Sequence, residues 1–304
     1  MRALHALRRG LDAWERFLFA PVDAAPLALL RIALGVYLAV YYLREAWFLD
    51  LYLAPPGLLP PEALPSTVGG VLLRVVPYST GARAALLVLA LTSAIGLALG
   101  LNTRVSASVG WLLNRVVALC FVGRNSGDGV VSVLCFLMLV AALLGHAQRV
   151  WALDARSSRA DPAIPAVSLR LFQVQLVGIY FFSGFHKLAS PDWYRGEALY
   201  YAFQQTQWLR VPAGLLEHPL PVGALSYGVL LFELLLFPVL VWMRPTRGPI
   251  LVAGVAFHVG IALSMKVFVF GEIMPILYSC FLEPRPLLER ARRALSALRS
   301  PSRA

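Results

Sequence analysis

Nine consecutive residues, Tyr180-Phe181-Phe182-Ser183-Gly184-Phe185-His186-Lys187-Leu188, form the densest concentration of chemically capable groups in the chain, and Asp192, Trp193, Tyr194, Arg195 and Gly196 follow closely. Lys187 stands where an apolar run meets polar sequence. An amine partly desolvated among aromatic rings has its pKa lowered toward the range in which it serves as a base. Tyr180, His186 and Trp193 are the neighbours available to contact a substrate. Ser183 and Gly184 are small and permit close helix packing. The plain alternative is a lysine that snorkels and anchors the end of a membrane helix.

Other ionisable residues lie inside apolar runs: Arg31, Arg115 beside Asn114, Glu233, and His258 within Ala256-Phe257-His258-Val259-Gly260. Each costs about 2.5–3.5 kcal/mol at the centre of a membrane helix, so such groups face a protein interior or a watery cavity, and Arg31, Arg115 and Glu233 are further candidates for binding a substrate there. Arg31 is about one turn from its end and can snorkel. Arg115 is mid-run and needs a partner, for which Glu233 is the available carboxylate. A lone histidine on an apolar face is usually a helix-to-helix hydrogen-bonding residue. The five histidines have no ligand spacing, and Cys120, Cys135 and Cys280 lie in apolar runs without a CxxC pattern, so no metal site is expected.

The elements that position these residues are membrane helices. Of 304 residues, 59% are hydrophobic and 14% charged, and mean hydropathy is +0.71; a soluble domain carries about 45–50% apolar and about 25% charged residues. Apolar runs at 27–43, 84–100, 105–122, 129–145, 169–186, 222–243, 249–265 and 268–283 approach the length needed to cross ~30 Å of hydrocarbon. The expected fold is an all-α polytopic bundle of about eight spans forming one transmembrane domain over 27–283, with cytoplasmic segments at 1–26 and 284–304. The basic stretch before Pro21 and Pro26 does not read as a cleavable signal peptide.

The net charge of +11 is membrane topology rather than a nucleic-acid surface, because the arginines cluster at the ends of apolar runs. With the N-terminus inside, 17 of the 27 Lys and Arg residues fall on the inner side, the excess expected of cytoplasmic flanks. Lys187 then lies at the outer face. The outward segments 44–83 and 187–221 are aromatic-rich and read as interfacial lids; 146–168 is a polar inner linker.

The stretch from Tyr180 to Leu188, with Asp192-Trp193 and Gly196, resembles the core motif of the vitamin K-dependent gamma-carboxylase superfamily, which includes the bacterial horizontally transferred transmembrane (HTTM) domain proteins. Gly145-His146 through Trp151-Ala152-Leu153-Asp154, Phe257-His258 with Phe270-Gly271-Glu272-Ile273-Met274, and Leu30-Arg31-Ile32-Ala33-Leu34-Gly35 extend the likeness over most of the chain. The resemblance implies that Lys187 is the base that deprotonates a reduced quinone, with O2 and CO2 as co-substrates. It makes His258 and, more loosely, His146 further catalytic candidates. The carboxylases also carry a soluble region that holds a propeptide; only their membrane core is matched, so a glutamyl-peptide acceptor does not carry over with it.

Two functions follow as expectations: a quinol-dependent enzyme with a lysine base at the outer face of a bacterial plasma membrane, or a non-catalytic membrane accessory for maturation or export of a small secreted peptide. Either leaves a secreted peptide or protein as the partner on the outer face, beside the lipid bilayer. A transporter would be expected to show internal repeats and paired broken helices, and the sequence has neither.

Overall fold

A computed structural model describes residues 2–47, 80–120, 126–157, 162–205, 219–267 and 269–286, with positions 207, 209–211, 288, 289 and 293. The chain is nearly all helix. Its elements are α1 (Arg2–Phe19), β1 (Pro21–Asp23), α2 (Ala25–Trp47), α3 (Thr80–Leu99), α4 (Thr103–Cys120), α5 (Ser126–Leu143), a 3-10 turn (Leu153–Ser157), β2 (Ala163–Pro165), α6 (Val167–Leu188), α7 (Pro191–Tyr194), α8 (Ala198–Gln204), α9 (Pro219–Leu231), a π-turn (Phe232–Leu236), α10 (Phe237–Leu240), α11 (Arg244–Ser264), α12 (Val269–Leu277) and a closing 3-10 turn (Tyr278–Phe281). Helix occupies most of the described part of each of the eight predicted apolar runs, the sixth as α9, the π-turn and α10 in succession and the eighth as α12 with the closing 3-10 turn. Among the described residues, six helices are long and apolar enough to cross a membrane: Ala25–Trp47, Gly81–Leu99, Ser126–Leu143, Val167–Leu188, Pro221–Leu240 and Arg244–Ser264. The apolar stretch Val269–Phe281 is shorter, and α4 is diluted by Arg104, Asn114 and Arg115. Most of segment 44–83 and parts of 146–168, 187–221 and 284–304 lie outside the described residues.

Large apolar side chains on the helices stay exposed, among them Val88, Val105, Val252 and Leu263, each more than 60% open. Such faces would be costly in water and are natural against lipid tails. The chain divides into two compact units: Met1–Arg124, Ser132–Arg170 and Leu282–Ala304 make the first, and Asn125–Val131 with Leu171–Phe281 the second.

In the first unit the close packing of α2 on α3 depends on a missing side chain. A Cβ on Gly35 would stand 2.5 Å from the backbone nitrogen of Ala98 and 2.8 Å from the carbonyl of Ala94, so only glycine lets these backbones meet. The short turn from α3 to α4 uses Gly100 at φ +65 and Asn102 at φ 45, with Leu101 N–H returning to Gly96 O at 2.9 Å; this closes α3 with a left-handed glycine cap.

Arg31 is wholly buried, and its guanidinium donates to the carbonyls of Leu97, Ala98 (2.9 Å) and Trp151 (2.6 Å). The last carbonyls of a helix have no intrahelical partner and carry partial negative charge; Arg31 satisfies those of α3. It therefore braces the bundle from within instead of snorkelling out. Across the turn, Asp154 accepts from Asn102 N–H (2.9 Å), Thr103 N–H (2.8 Å) and the Thr103 hydroxyl (2.8 Å), capping α4. Burial alone would raise the Asp154 pKa, but those bonds and the Arg31 charge together hold it below its ordinary value.

His146 follows α5 in a second glycine-closed turn, with Gly145 at φ +79 and His146 N–H bonded to Ala141 O at 2.9 Å. Its Nδ1 lies 2.7 Å from the buried Ser168 hydroxyl at the start of α6. Burial and then the charge of Arg149 lower its pKa. β1 and β2 pair antiparallel, Val22 opposite Ile164, immediately before α2 and α6.

Two outcomes test this unit. Gly35→Ala should cost about 1–3 kcal/mol by forcing α2 from α3, seen as a lower thermal midpoint in detergent, while Gly81→Ala, with open space around it, should leave it unchanged. Because the folded-state His146 pKa is depressed, its contribution to stability is present above the ordinary histidine value and lost as pH falls through the folded one. The thermal midpoint should drop as pH is lowered from neutrality, and His146→Gln should flatten that dependence; equal slopes for both proteins would refute this role.

Candidate functional site

The candidate site belongs to the second unit and is built on one face of α6. Tyr180, Ser183, Gly184 and Lys187 are spaced by three and four residues, so two turns of helix bring them into line. Lys187 Nζ donates to the Ser183 hydroxyl at 2.9 Å and to Glu233 Oε2. It also lies 5.2 Å from the centroid of the Trp193 ring, within cation–π range. The Glu233 side chain is 6% exposed and that of Lys187 22%.

The pair forms where α6 carries no side chain to keep Glu233 and Leu234 at a distance. A Cβ on Gly184 would fall 2.7 Å from Leu234 Cγ and 3.1 Å from Glu233 Cβ. Glu233 itself sits in the π-turn Phe232–Leu236, an insertion of the kind that re-aims side chains inside helices. Pro238, two residues past that turn, has no N–H to offer the carbonyl of Leu234, a local reason for the regular ladder to break there. Trp193 is brought back over Lys187 by the Ser190-Pro191 start of α7, a helix that Gly196 closes at φ +77.

Two turns further along α6, the Tyr180 hydroxyl is bonded to His258 Nε2 at 2.9 Å and to the Tyr278 hydroxyl. His258 is wholly buried on α11, flanked by Phe257 and Phe270, and its Nδ1 has no partner. The Tyr180 ring packs against Phe237 at 4.0 Å and edge-on to Phe232 at 5.6 Å. Gly254, one turn before His258, leaves room for Tyr278, whose hydroxyl would be 2.6 Å from a Cβ there.

The structure thus brings together five of the residues singled out from sequence: Lys187, Glu233 and Trp193 in one cluster, Tyr180 and His258 in the adjoining one. Exposed His186 is the sequence neighbour of Lys187 and packs edge-on to Phe185. Arg31, Arg115 and His146 belong to the first unit. Arg31 and His146 serve the helix ends described above, and Arg115 is half-buried on α4. Glu233, which the sequence offers to Arg115, is taken by Lys187. Sequence reasoning missed Tyr278 and the Lys187–Glu233 pairing; Ser183 at i−4 from Lys187 and Gly254 at i−4 from His258 were the available signals.

The HTTM domain profile matches residues 19–285, which takes in every element from β1 to the closing 3-10 turn. The chain belongs to the HTTM domain family. A curated relative, the sporulation-delaying protein SdpB of Bacillus subtilis (strain 168), is 24% identical over 194 residues, 61% of this chain and 60% of the relative. The HTTM chain therefore spans about 60% of the length of that relative. No solved structure matches it.

Breaking a buried ion pair costs about 3–5 kcal/mol because one charge is left uncompensated, and the partial exposure of Lys187 puts this site at or below the lower end. Glu233→Gln and Lys187→Met should each lower the thermal midpoint of the purified HTTM protein, and the double variant should recover much of the loss. Additive losses in that double-mutant cycle would show that the two groups do not interact.

Proposed function

We propose that this HTTM protein is a quinol-dependent membrane enzyme in which Lys187 and Glu233 act as one proton-accepting unit at the outer face. The observation that carries the reading is a semi-buried amine bonded to a buried carboxylate and a hydroxyl, beneath an indole ring, on the segment that resembles the carboxylase core motif. An ammonium–carboxylate pair is neutral as a whole and holds one proton in common. With the shared proton on the carboxylate, the Lys187 amine is free to accept another, and the Ser183 hydroxyl keeps that amine oriented. A proton arriving from a phenol is stabilised there without leaving a net negative charge in hydrocarbon.

The residues fit a reduced quinone in kind. Trp193 presents a ring face next to the amine, and His258 Nδ1 is a buried hydrogen-bonding atom without a partner. Trp193, Tyr180, His186 and His258 would hold such a group. When bound it supplies phenolic protons and reducing equivalents, with O2 and CO2 as proposed co-substrates. Tyr180, itself bonded to the Tyr278 hydroxyl, holds His258 at Nε2 and leaves Nδ1 for a ligand. Among the described residues no cluster of His, Cys, Asp and Glu could hold a metal ion.

An eight-span arrangement with both ends cytoplasmic in a bacterial plasma membrane completes the proposal. It is supported by the β1–β2 ribbon, which starts α2 and α6 on the same side. The four helices α2 to α5 supply the even number of crossings this requires, with α4 counted as a span.

A second reading, a non-catalytic accessory to a secreted peptide, is favoured by the likeness to SdpB, a relative named for delaying sporulation and not for a reaction. Mass spectrometry of lipid extracts from the purified protein separates the two. Stoichiometric quinone in the wild type, with its turnover lost in Lys187→Ala and Glu233→Gln, is the expected result. Absence of bound quinone, with no thermal stabilisation by added quinol, would overturn the enzyme and leave the accessory role.

A further inference from the structure

The N-terminal segment reads in sequence as a basic cytoplasmic stretch, yet the structure makes it a continuous helix, α1, whose two sides differ sharply in chemistry. Leu11, Trp14 and Leu18 follow one another at three and four residues, and the same spacing runs back in the sequence through Leu7 and Leu4. Leu11, Trp14 and Leu18 define one narrow stripe of the helix surface. Arg9, Asp12 and Arg16 lie on the opposite arc, with Arg8 and Glu15 on its flank. Leu11 is 60% exposed and Trp14 63%, so the apolar stripe is left open by the rest of the unit.

The position of α1 decides what covers that stripe. Only residues 20–24 separate it from α2, a reach of at most about 18 Å at ~3.5 Å per residue. Its carboxyl end is further tied to the start of α6: Arg170 Nε donates to Phe17 O at 3.2 Å, and the guanidinium lies 4.4 Å from the Phe17 ring centroid. α2 and α6 both begin here and both have the length and composition to enter a bilayer. The end of α1 is therefore held at the level of the headgroups. A helix with a Leu/Trp stripe, an arginine-bearing arc and this placement fits the boundary between headgroups and acyl chains.

We propose that α1 is an interfacial helix lying in the surface of the bilayer, with Leu11, Trp14 and Leu18 in the acyl boundary and Arg8, Arg9 and Arg16 on anionic lipid headgroups. Charge supports the anionic partner: cations outnumber acids on the exposed arc of α1, and the 284–304 segment of the same unit adds Arg285, Arg290, Arg292, Arg293, Arg299 and Arg303 against Glu289. Basic segments beside a membrane are drawn to acidic lipid.

The test uses the full chain in nanodiscs, with Cys120, Cys135 and Cys280 replaced and a polarity-sensitive fluorophore placed through Trp14→Cys or, on the opposite arc, Asp12→Cys. In phosphatidylcholine containing phosphatidylglycerol, the label at 14 should be blue-shifted, shielded from aqueous iodide and quenched by spin-labelled lipid; the label at 12 should behave as in water. In pure phosphatidylcholine the shielding at 14 should weaken, and Arg8→Gln/Arg9→Gln/Arg16→Gln should abolish the difference between the two lipid mixtures. Equal iodide access at 14 and 12 would overturn the proposal. So would shielding at 14 that requires two protein copies per disc, which would assign the stripe to a second chain. Equal shielding in both lipid mixtures would remove the anionic headgroups from it.

Discussion

Hydrocarbon offers no hydrogen bonds, so a polar group carried into this bundle is costly unless another polar group of the same chain meets it. That constraint accounts for most of what is unusual in the structure. Arg31 can be wholly buried because it is spent on carbonyls that the end of α3 leaves open. Lys187 and Glu233 can share an apolar setting because each neutralises the other. Tyr180, His258 and Tyr278 satisfy one another at three atoms and leave Nδ1 of His258 over.

The glycines set the distances at which those partners meet. Gly35 lets α2 and α3 touch along their backbones, and Gly184 lets the Leu234 and Glu233 side chains of the π-turn press against α6. Where lipid competes equally well for apolar side chains, close backbone approach and polar pairing are the terms left to hold helices together. One added methyl group at Gly184 would press on Leu234 and on the Cβ of Glu233, the residue that carries the carboxylate of the candidate site.

The helical character of the eight apolar runs was legible before any coordinates, because a run of apolar residues long enough to cross hydrocarbon has few other uses. The importance of the Tyr180–Leu188 stretch was legible too, and the three-and-four spacing of Tyr180, Ser183, Gly184 and Lys187 already placed them on one face. Glu233 stands out in the sequence as a charge where lipid should be, but which cation it serves does not. Arg31 was open between snorkelling and an interior role; the interior role needs Leu97, Ala98 and Trp151, and Trp151 is 120 residues away.

Composition, hydropathy and charge asymmetry are local sums, and from them the sequence alone determined a membrane-embedded all-α chain and the residues too polar to be there without cause. Partner choice is not local. Lys187 meets Glu233 across 46 residues and Tyr180 meets Tyr278 across 98, through helix contacts that small residues permit and a π-turn re-aims. No periodicity records those pairings, and only the tertiary structure decided them. The two faces of α1 were present in the spacing from Leu4 to Leu18, but that its apolar stripe stays uncovered is a property of the folded unit.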